Sequence, residues 1–218
     1  MSRLQRTLQI SLHSYWHAGG GRSSGHHLDA LCERDGTLPV LPGRQLKGLL
    51  RHAVRRAESW GWLADIALPT GPMADHQSLL FGSSSQTESR DATQPGVLMV
   101  GSAVLPEAER NWLASPTNTA LASLLFDELF STAINEQGTA KVHSLRGIEV
   151  ALPGELVATL ELQPTAQATA LQQQQHHYLE SDAPWQVIQA ALPLLDHVGA
   201  HRARGLGECL AQLSGAGA

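Results

Sequence analysis

Residues 38–51 read Leu-Pro-Val-Leu-Pro-Gly-Arg-Gln-Leu-Lys-Gly-Leu-Leu-Arg, and the helix that begins inside this stretch organises its surroundings. At about 100° per residue, a helix over 43–60 gathers Leu46, Leu49, Leu50, Ala53, Val54 and Ala57 on one side. Arg44, Lys47, Arg51 and Arg55 gather on the opposite side. Pro42-Gly43 suits the entry, because glycine can serve as an N-cap and proline cannot extend a helix backwards. From Gly43 to Glu58 there are five basic residues, Arg44, Lys47, Arg51, Arg55 and Arg56, against one acid, a local net of +4. The whole chain carries a net charge of −5 with a pI of about 6.1. That balance argues against a free-standing nucleic-acid binder, so any polyanion would have to meet one face rather than the whole surface.

Upstream, Leu4, Leu8, Ile10 and Leu12 fall at mostly even spacing, which predicts a half-buried strand over 4–12. The stretch His17-Ala-Gly-Gly-Gly-Arg-Ser-Ser-Gly-His-His27 is too glycine-rich for a regular element and reads as a loop that lets backbone approach a ligand. Downstream, residues 83–95 are polar and turn-rich, a mobile surface loop, and 96–105 read as a buried strand. Ala120–Phe130 suits a short helix. Residues 142–150 and 155–162 alternate around Pro153-Gly154, as two strands of a hairpin would. The run Gln172–Gln175 with His176-His177 reads as a surface connection. Asp182 is placed to cap a helix starting at Pro184 and ending near Leu192 before Pro193. A loop over 199–207 then feeds a last strand over 208–213. The order predicts an α+β fold, a ferredoxin-like antiparallel sheet with helices on one face.

A chain of 218 residues suits one domain over 1–218 with insertions. Hydrophobic content of 42% and charged content of 16% fit a globular protein. No stretch approaches the roughly 18 apolar residues of a membrane helix, and the N-terminus alternates instead of forming a signal-peptide block. Cys32 and Cys209 lack CxxC spacing and read as reduced thiols. A cytoplasmic, membrane-free protein is expected.

Three constellations could carry chemistry. The basic helix face offers a row of donors spaced for phosphate oxygens, or simply a solvated surface. In His26-His27-Leu28-Asp29, the carboxylate could orient an attacking hydroxyl or hold a divalent cation, the histidines could act as acid and base without metal, or Asp29 could make a turn hydrogen bond. In Gly199-Ala-His-Arg-Ala-Arg-Gly-Leu-Gly207, Arg202 and Arg204 could clamp phosphates or stack on bases. The GxxxxGK[ST] pattern is absent, so nucleotide hydrolysis is not supported.

Three spaced features resemble one family. Leu38–Arg51 is similar to the "PxIPGSSLKGxLR" signature of RAMP proteins, the backbone subunits of type III CRISPR effectors. Trp16-His17-Ala18-Gly19-Gly20 before it is similar to "LHIGGG", Leu79-Leu80-Phe81-Gly82 after it to "LFG", and Gly199–Gly207 falls where the family has its glycine-rich loop. Arg44-Gln45 replaces the usual small pair of the signature, and Ala200-His201 replaces glycines common in the last loop. The resemblance implies an RRM-like fold whose copies assemble along a guide RNA within a multi-subunit antiviral ribonucleoprotein. RNA contacts would fall on His17, Gly19, Gly20, Gly43, Arg44, Lys47, Arg51, Arg55, Arg146, Arg202 and Arg204. An insertion over 131–150 would be the thumb hairpin. Asp29 would occupy the position of the family's target-cleaving aspartate, working as an endonuclease with Mg2+ or another divalent cation as ligand partner; Asp35 would be a more variable acid.

Three functions follow as expectations. The first is a guide-binding subunit that cuts paired target RNA through Asp29, and the second keeps the scaffold without the chemistry. The third is a stand-alone guide-processing endoribonuclease using His17, His26 or His27.

Overall fold

Alternation in the first strand decides which side of the sheet is covered. β1 (Gln5–Leu12) buries Leu8, Ile10 and Leu12 and turns Gln5 and Gln9 outward. The computed structural model describes residues 3–24, 28–83, 94–164 and 170–215. Within them the elements that follow are β2 (Arg34–Asp35), β3 (Leu38–Pro39), α1 (Gly43–Ser59), α2 (His76–Phe81), β4 (Leu98–Val100), α3 (Glu107–Leu113), a 3-10 turn (Thr119–Leu125), β5 (Phe126–Ser131), β6 (Arg146–Ala151), β7 (Gly154–Leu162), α4 (Ala170–Glu180), α5 (Ala183–Ala191) and β8 (Cys209–Ser214).

The main sheet runs β4-β7-β1-β8, antiparallel throughout. Ile10 sits opposite Leu156 of β7 and Ala211 of β8, so the buried rows align across the sheet. The major strands are thus ordered second, third, first, fourth, with α1 after the first and α4–α5 before the last. This is the ferredoxin-like plan expected from the sequence. Leu46, Leu50, Ala53, Val54 and Ala57 of α1 share one core with Leu8, Ile10, Leu156, Ala158, Leu160, Val187, Ile188 and Ala191. Each fully buried leucine in that set contributes about 2 kcal/mol by leaving water. The opposite sheet face carries Gln9, Thr159, Glu161 and Gln212 to solvent.

Several local expectations are corrected. The alternating segments 142–150 and 155–162 do not pair with each other: β6 pairs with β5, and β7 pairs with β1 and β4. Alternation identifies a strand but not its partner. The ribbon that encloses the expected thumb insertion at 131–150 pairs 126–131 with 146–151. Ala120–Phe130 is not one helix; a 3-10 turn ends at Leu125 and β5 begins. The strand expected over 96–105 is regular only at 98–100, with Met99 exposed, and then bridges through Ala103 and Val104 to Leu41 and Val157.

The glutamine run is not a surface connection but part of α4, with Gln174 and Gln175 buried. The Gln174 amide accepts from Met73 N–H and donates to the Pro69 and Met73 carbonyls, so its polarity is satisfied by turn backbone. Asp182 precedes α5 but makes no side-chain cap; it lies 3.6 Å from Arg3 instead. The last loop contains a 3-10 turn at Arg202–Arg204. Most of 83–95, together with His26 and His27, lies outside the described residues.

Candidate nucleic-acid interface

One flank of α1 and both glycine loops enclose a groove of about 540 Å3, lined by His17, Gly19, Gln45, Leu49, His52 and Arg202 among others. Three stretches far apart in sequence therefore meet at one place. His17 is the hinge of this junction. It is buried, and its Nδ1 lies 2.6 Å from the Glu149 carbonyl, which can only accept. Nδ1 therefore donates to that carbonyl, and Nε2 stands beside Gly19. The His17 carbonyl accepts from Ala200 N–H at 2.8 Å, tying the first loop to the last. Gly199 (φ +75°) sits so close that a β-carbon there would overlap that carbonyl oxygen. Gln45 Nε2 donates to the Gly19 carbonyl at 3.0 Å and joins the loop to α1. Gly20 lies at the surface beside the Glu33 carboxylate.

Charge is distributed unequally around α1. On the groove flank, His52 feels only positive neighbours: partial burial lowers its pKa first, and Arg55, Arg56 and Arg202 lower it further. Such a cluster, with no acid among those charges, raises the local potential that a phosphate would meet. Arg44, Arg55, Arg202 and Arg204 are all exposed. On the other flank, Lys47 Nζ donates to the Leu98 carbonyl at 2.7 Å and Arg51 to the Gly82 carbonyl at 3.1 Å. Burial, followed by the Arg51 charge, lowers the Lys47 pKa. The helix start is not open either: Gly43 is buried against Val100–Gly101, and its N–H donates to Ser102 Oγ.

The carboxylates beside β6 differ in kind. Asp29 Oδ2 accepts from Gly147 N–H at 3.0 Å, and Oδ1 lies 3.5 Å from Arg146. Its side chain keeps 48% of its surface exposed, and the Arg146 side chain 69%. Glu149 is buried, paired with Arg34, and accepts from Cys32 N–H at 2.9 Å. The Arg34 guanidinium covers the Phe126 ring at 3.6 Å. Burial, helped by Glu149, pushes the Cys32 thiol up to about 12, which makes it inert. Asp35 lies 3.3 Å from Arg110 at the surface, away from Asp29 in hydrogen bonding. Among the described residues no three His, Cys, Asp or Glu side chains gather as a metal cage. A single half-exposed carboxylate still fits Mg2+, which is commonly held by one or two carboxylates plus substrate phosphates and water.

The sequence profile of the RAMP superfamily matches residues 9–209, a span that includes the groove, Asp29 and both glycine loops. The chain belongs to the RAMP superfamily. A subunit in the cryo-EM structure of the type III-B Cmr-β bound to cognate target RNA shares the fold with a TM-score of 0.63 at 9% identity, covering 96% of each chain. A subunit of the Cmr-β apo state gives 0.58 at 9% identity over 98% of each. One from a type IV-B CRISPR complex gives 0.54 at 17% identity, over 99% of this chain and 92% of that one. Among curated proteins nothing matches. No helix of the described residues is long and apolar enough to cross a membrane.

Within this RAMP fold, the groove unites His17, Gly19 and Arg202 but not Lys47 or Arg51, which hold neighbouring backbone. Sequence reasoning missed His52. Its signal is spacing: Gln45, Leu49, His52 and Arg56 recur at four, three and four residues, one continuous ridge of the helix.

Proposed function

We propose that this chain is a guide-RNA-binding backbone subunit of a multi-subunit CRISPR effector. Its partners would be guide RNA, complementary target RNA and other effector subunits, including copies or homologues of itself. The observation that carries the reading is the convergence of 17–19, 45–52 and 199–202 on one groove bordered by Arg55, Arg56 and Arg202. Backbone amides and small residues let a sugar–phosphate chain approach, and guanidiniums supply charge that does not depend on base identity. The test is RNA binding by the full chain across a salt series. Affinity should fall steeply with salt and vary little with guide sequence; absence of binding at low salt overturns the proposal.

Asp29 is the residue we assign to cutting the paired target. It is half exposed, stands at the base of the β5–β6 ribbon, and is oriented by Gly147 and Arg146. Attack of a 2′-hydroxyl on the adjacent phosphate needs in-line placement and charge stabilisation more than a strong base. A divalent cation held by Asp29 would supply the latter. His17, the candidate base of a processing enzyme, is buried with Nδ1 already committed. Asp29→Ala in the assembled complex should reduce target cutting at least about 100-fold and leave guide retention intact. Unchanged cutting moves the chemistry elsewhere. A wild-type complex that never cuts with Mg2+ leaves the non-cleaving scaffold as the function.

A further inference from the structure

Helix α1 ends in Ser59-Trp60-Gly61-Trp62, and neither tryptophan is hidden: Trp60 is 54% and Trp62 49% exposed. Their positions are nevertheless fixed. Gly61 takes φ +77°, its N–H donates to the Glu58 carbonyl, and Trp62 N–H donates to the Ala57 carbonyl at 2.9 Å. These two bonds form a Schellman closure, which requires the left-handed glycine between the two indoles. The rings stand 5.6 Å apart at 60°, and the Arg56 guanidinium lies 4.9 Å from the Trp60 ring centroid. Arg56 is itself held by the Leu194 carbonyl. Large exposed aromatics cost solubility, so a rigidly built pair calls for an occupant.

Its surroundings say which kind. Trp60 continues the ridge that lines the groove, four residues beyond Arg56 and eight beyond His52, so about 12 Å further along the axis. Arg55, Arg56 and Arg202 surround the intervening His52. Glu58 is occupied with the amides of His76 and Gln77, leaving Asp65 as the only acid in 60–66. A cationic track leading to rigid, tilted indoles is the arrangement on which unpaired bases stack.

We propose that Trp60 and Trp62 form a stacking platform for unpaired bases of an RNA strand that runs out of the groove along α1. The inference rests on the RNA-binding reading of the groove. It adds a base-contacting element to a site otherwise built for phosphates, and it places the strand's direction from Gly19 toward the helix end.

The test compares binding of the full chain to a short fluorescent single-stranded RNA and to an abasic strand of equal length and charge. The Trp60→Ala/Trp62→Ala double variant should lose about tenfold affinity for the base-bearing strand and less than twofold for the abasic one. Trp60→Phe/Trp62→Phe, which keeps a ring at each position, should retain most of the affinity. Equal losses on both strands, or none on either, overturn the platform. Full RNA binding together with failed assembly into the effector assigns the pair to a protein neighbour instead. If the wild type binds neither strand, the groove reading falls with it; if only the variants behave like wild type, this inference falls alone.

Discussion

The two flanks of α1 carry similar cations for different ends. Lys47 and Arg51 lean toward β4 and the end of α2 and donate to the carbonyls of Leu98 and Gly82. His52 lies among the charges of Arg55, Arg56 and Arg202 on the groove side, and Arg56 also donates to the Leu194 carbonyl at 3.4 Å. Each carbonyl ties its donor to a neighbouring element, so the first flank acts as a bracket between helix and sheet edge. The second keeps unbalanced charge beside a groove. Periodicity groups Arg44, Lys47, Arg51 and Arg55 as one row, but a row of donors has no single role until neighbouring elements dock on one side of it.

The sharpest way to break this division is to remove the bracket. Lys47→Ala/Arg51→Ala leaves the Leu98 and Gly82 carbonyls without these donors, and each lost bond costs about 1 kcal/mol. The double variant should therefore lose about 2 kcal/mol of unfolding free energy in denaturant melts while RNA affinity of the folded fraction changes less than twofold. A large affinity loss without destabilisation would return these two residues to the RNA, as the family signature implies.

Arg202→Ala probes the other flank. The guanidinium is exposed on a 3-10 turn held between His201 in the left-handed region and Gly205, so its removal should leave stability within about 0.5 kcal/mol. Affinity for single-stranded RNA should fall about fivefold at moderate salt, and the log–log salt slope should shrink by about 0.7, the release expected for one phosphate contact. An unchanged slope would mean that Arg202 touches no phosphate.

How much of this could be read from residues alone follows the same logic. The helix over 43–59 and the strand over 5–12 were legible because burial on one face imposes a period, and Leu46, Leu50 and Leu8, Ile10 keep it. Which strand pairs with 146–151 was not legible. Arg146–Ala151 and Gly154–Leu162 have equal claims to a hairpin until the sheet forms, and Leu152-Pro153 turns the chain from one sheet into the other. Gln174 and Gln175 look solvent-loving because nothing local shows the turn backbone that satisfies them. In the site, the chemistry of the glycine loops and of Asp29 was visible as residue type. Their geometry depends on distant partners, Glu149 for His17 and Gly147 for Asp29. The tryptophan pair had a local signal after all, since a glycine directly after a strongly periodic helix marks its closure.

The smallest expected effect is the most discriminating one about His52. In the free protein its pKa is held below 6.5, first by partial burial and then by Arg55, Arg56 and Arg202. Near neutral pH it is therefore uncharged. A phosphate in the groove favours the imidazolium, so bound RNA raises the pKa and the complex binds more protons than the free chain. By linkage, affinity must then rise as pH falls through the range around and below 6.5, and level off once the free protein is also protonated. The gain should be about two- to threefold between pH 7.5 and pH 5.5 at constant salt, measured by anisotropy with the same single-stranded RNA. His52→Ala should flatten that dependence while leaving the affinity at pH 7.5 nearly unchanged. His76 also has a pKa lowered chiefly by burial, but it hydrogen-bonds the buried Tyr178 hydroxyl at 2.9 Å, away from the groove. Protonating it favours the unfolded chain, so stability contributed by its neutral form is present above 6.5 and lost as pH falls, the opposite sense to the RNA effect. A rise in affinity that persists in His52→Ala would show that the proton is taken up by another group, and that the groove flank does not depend on His52.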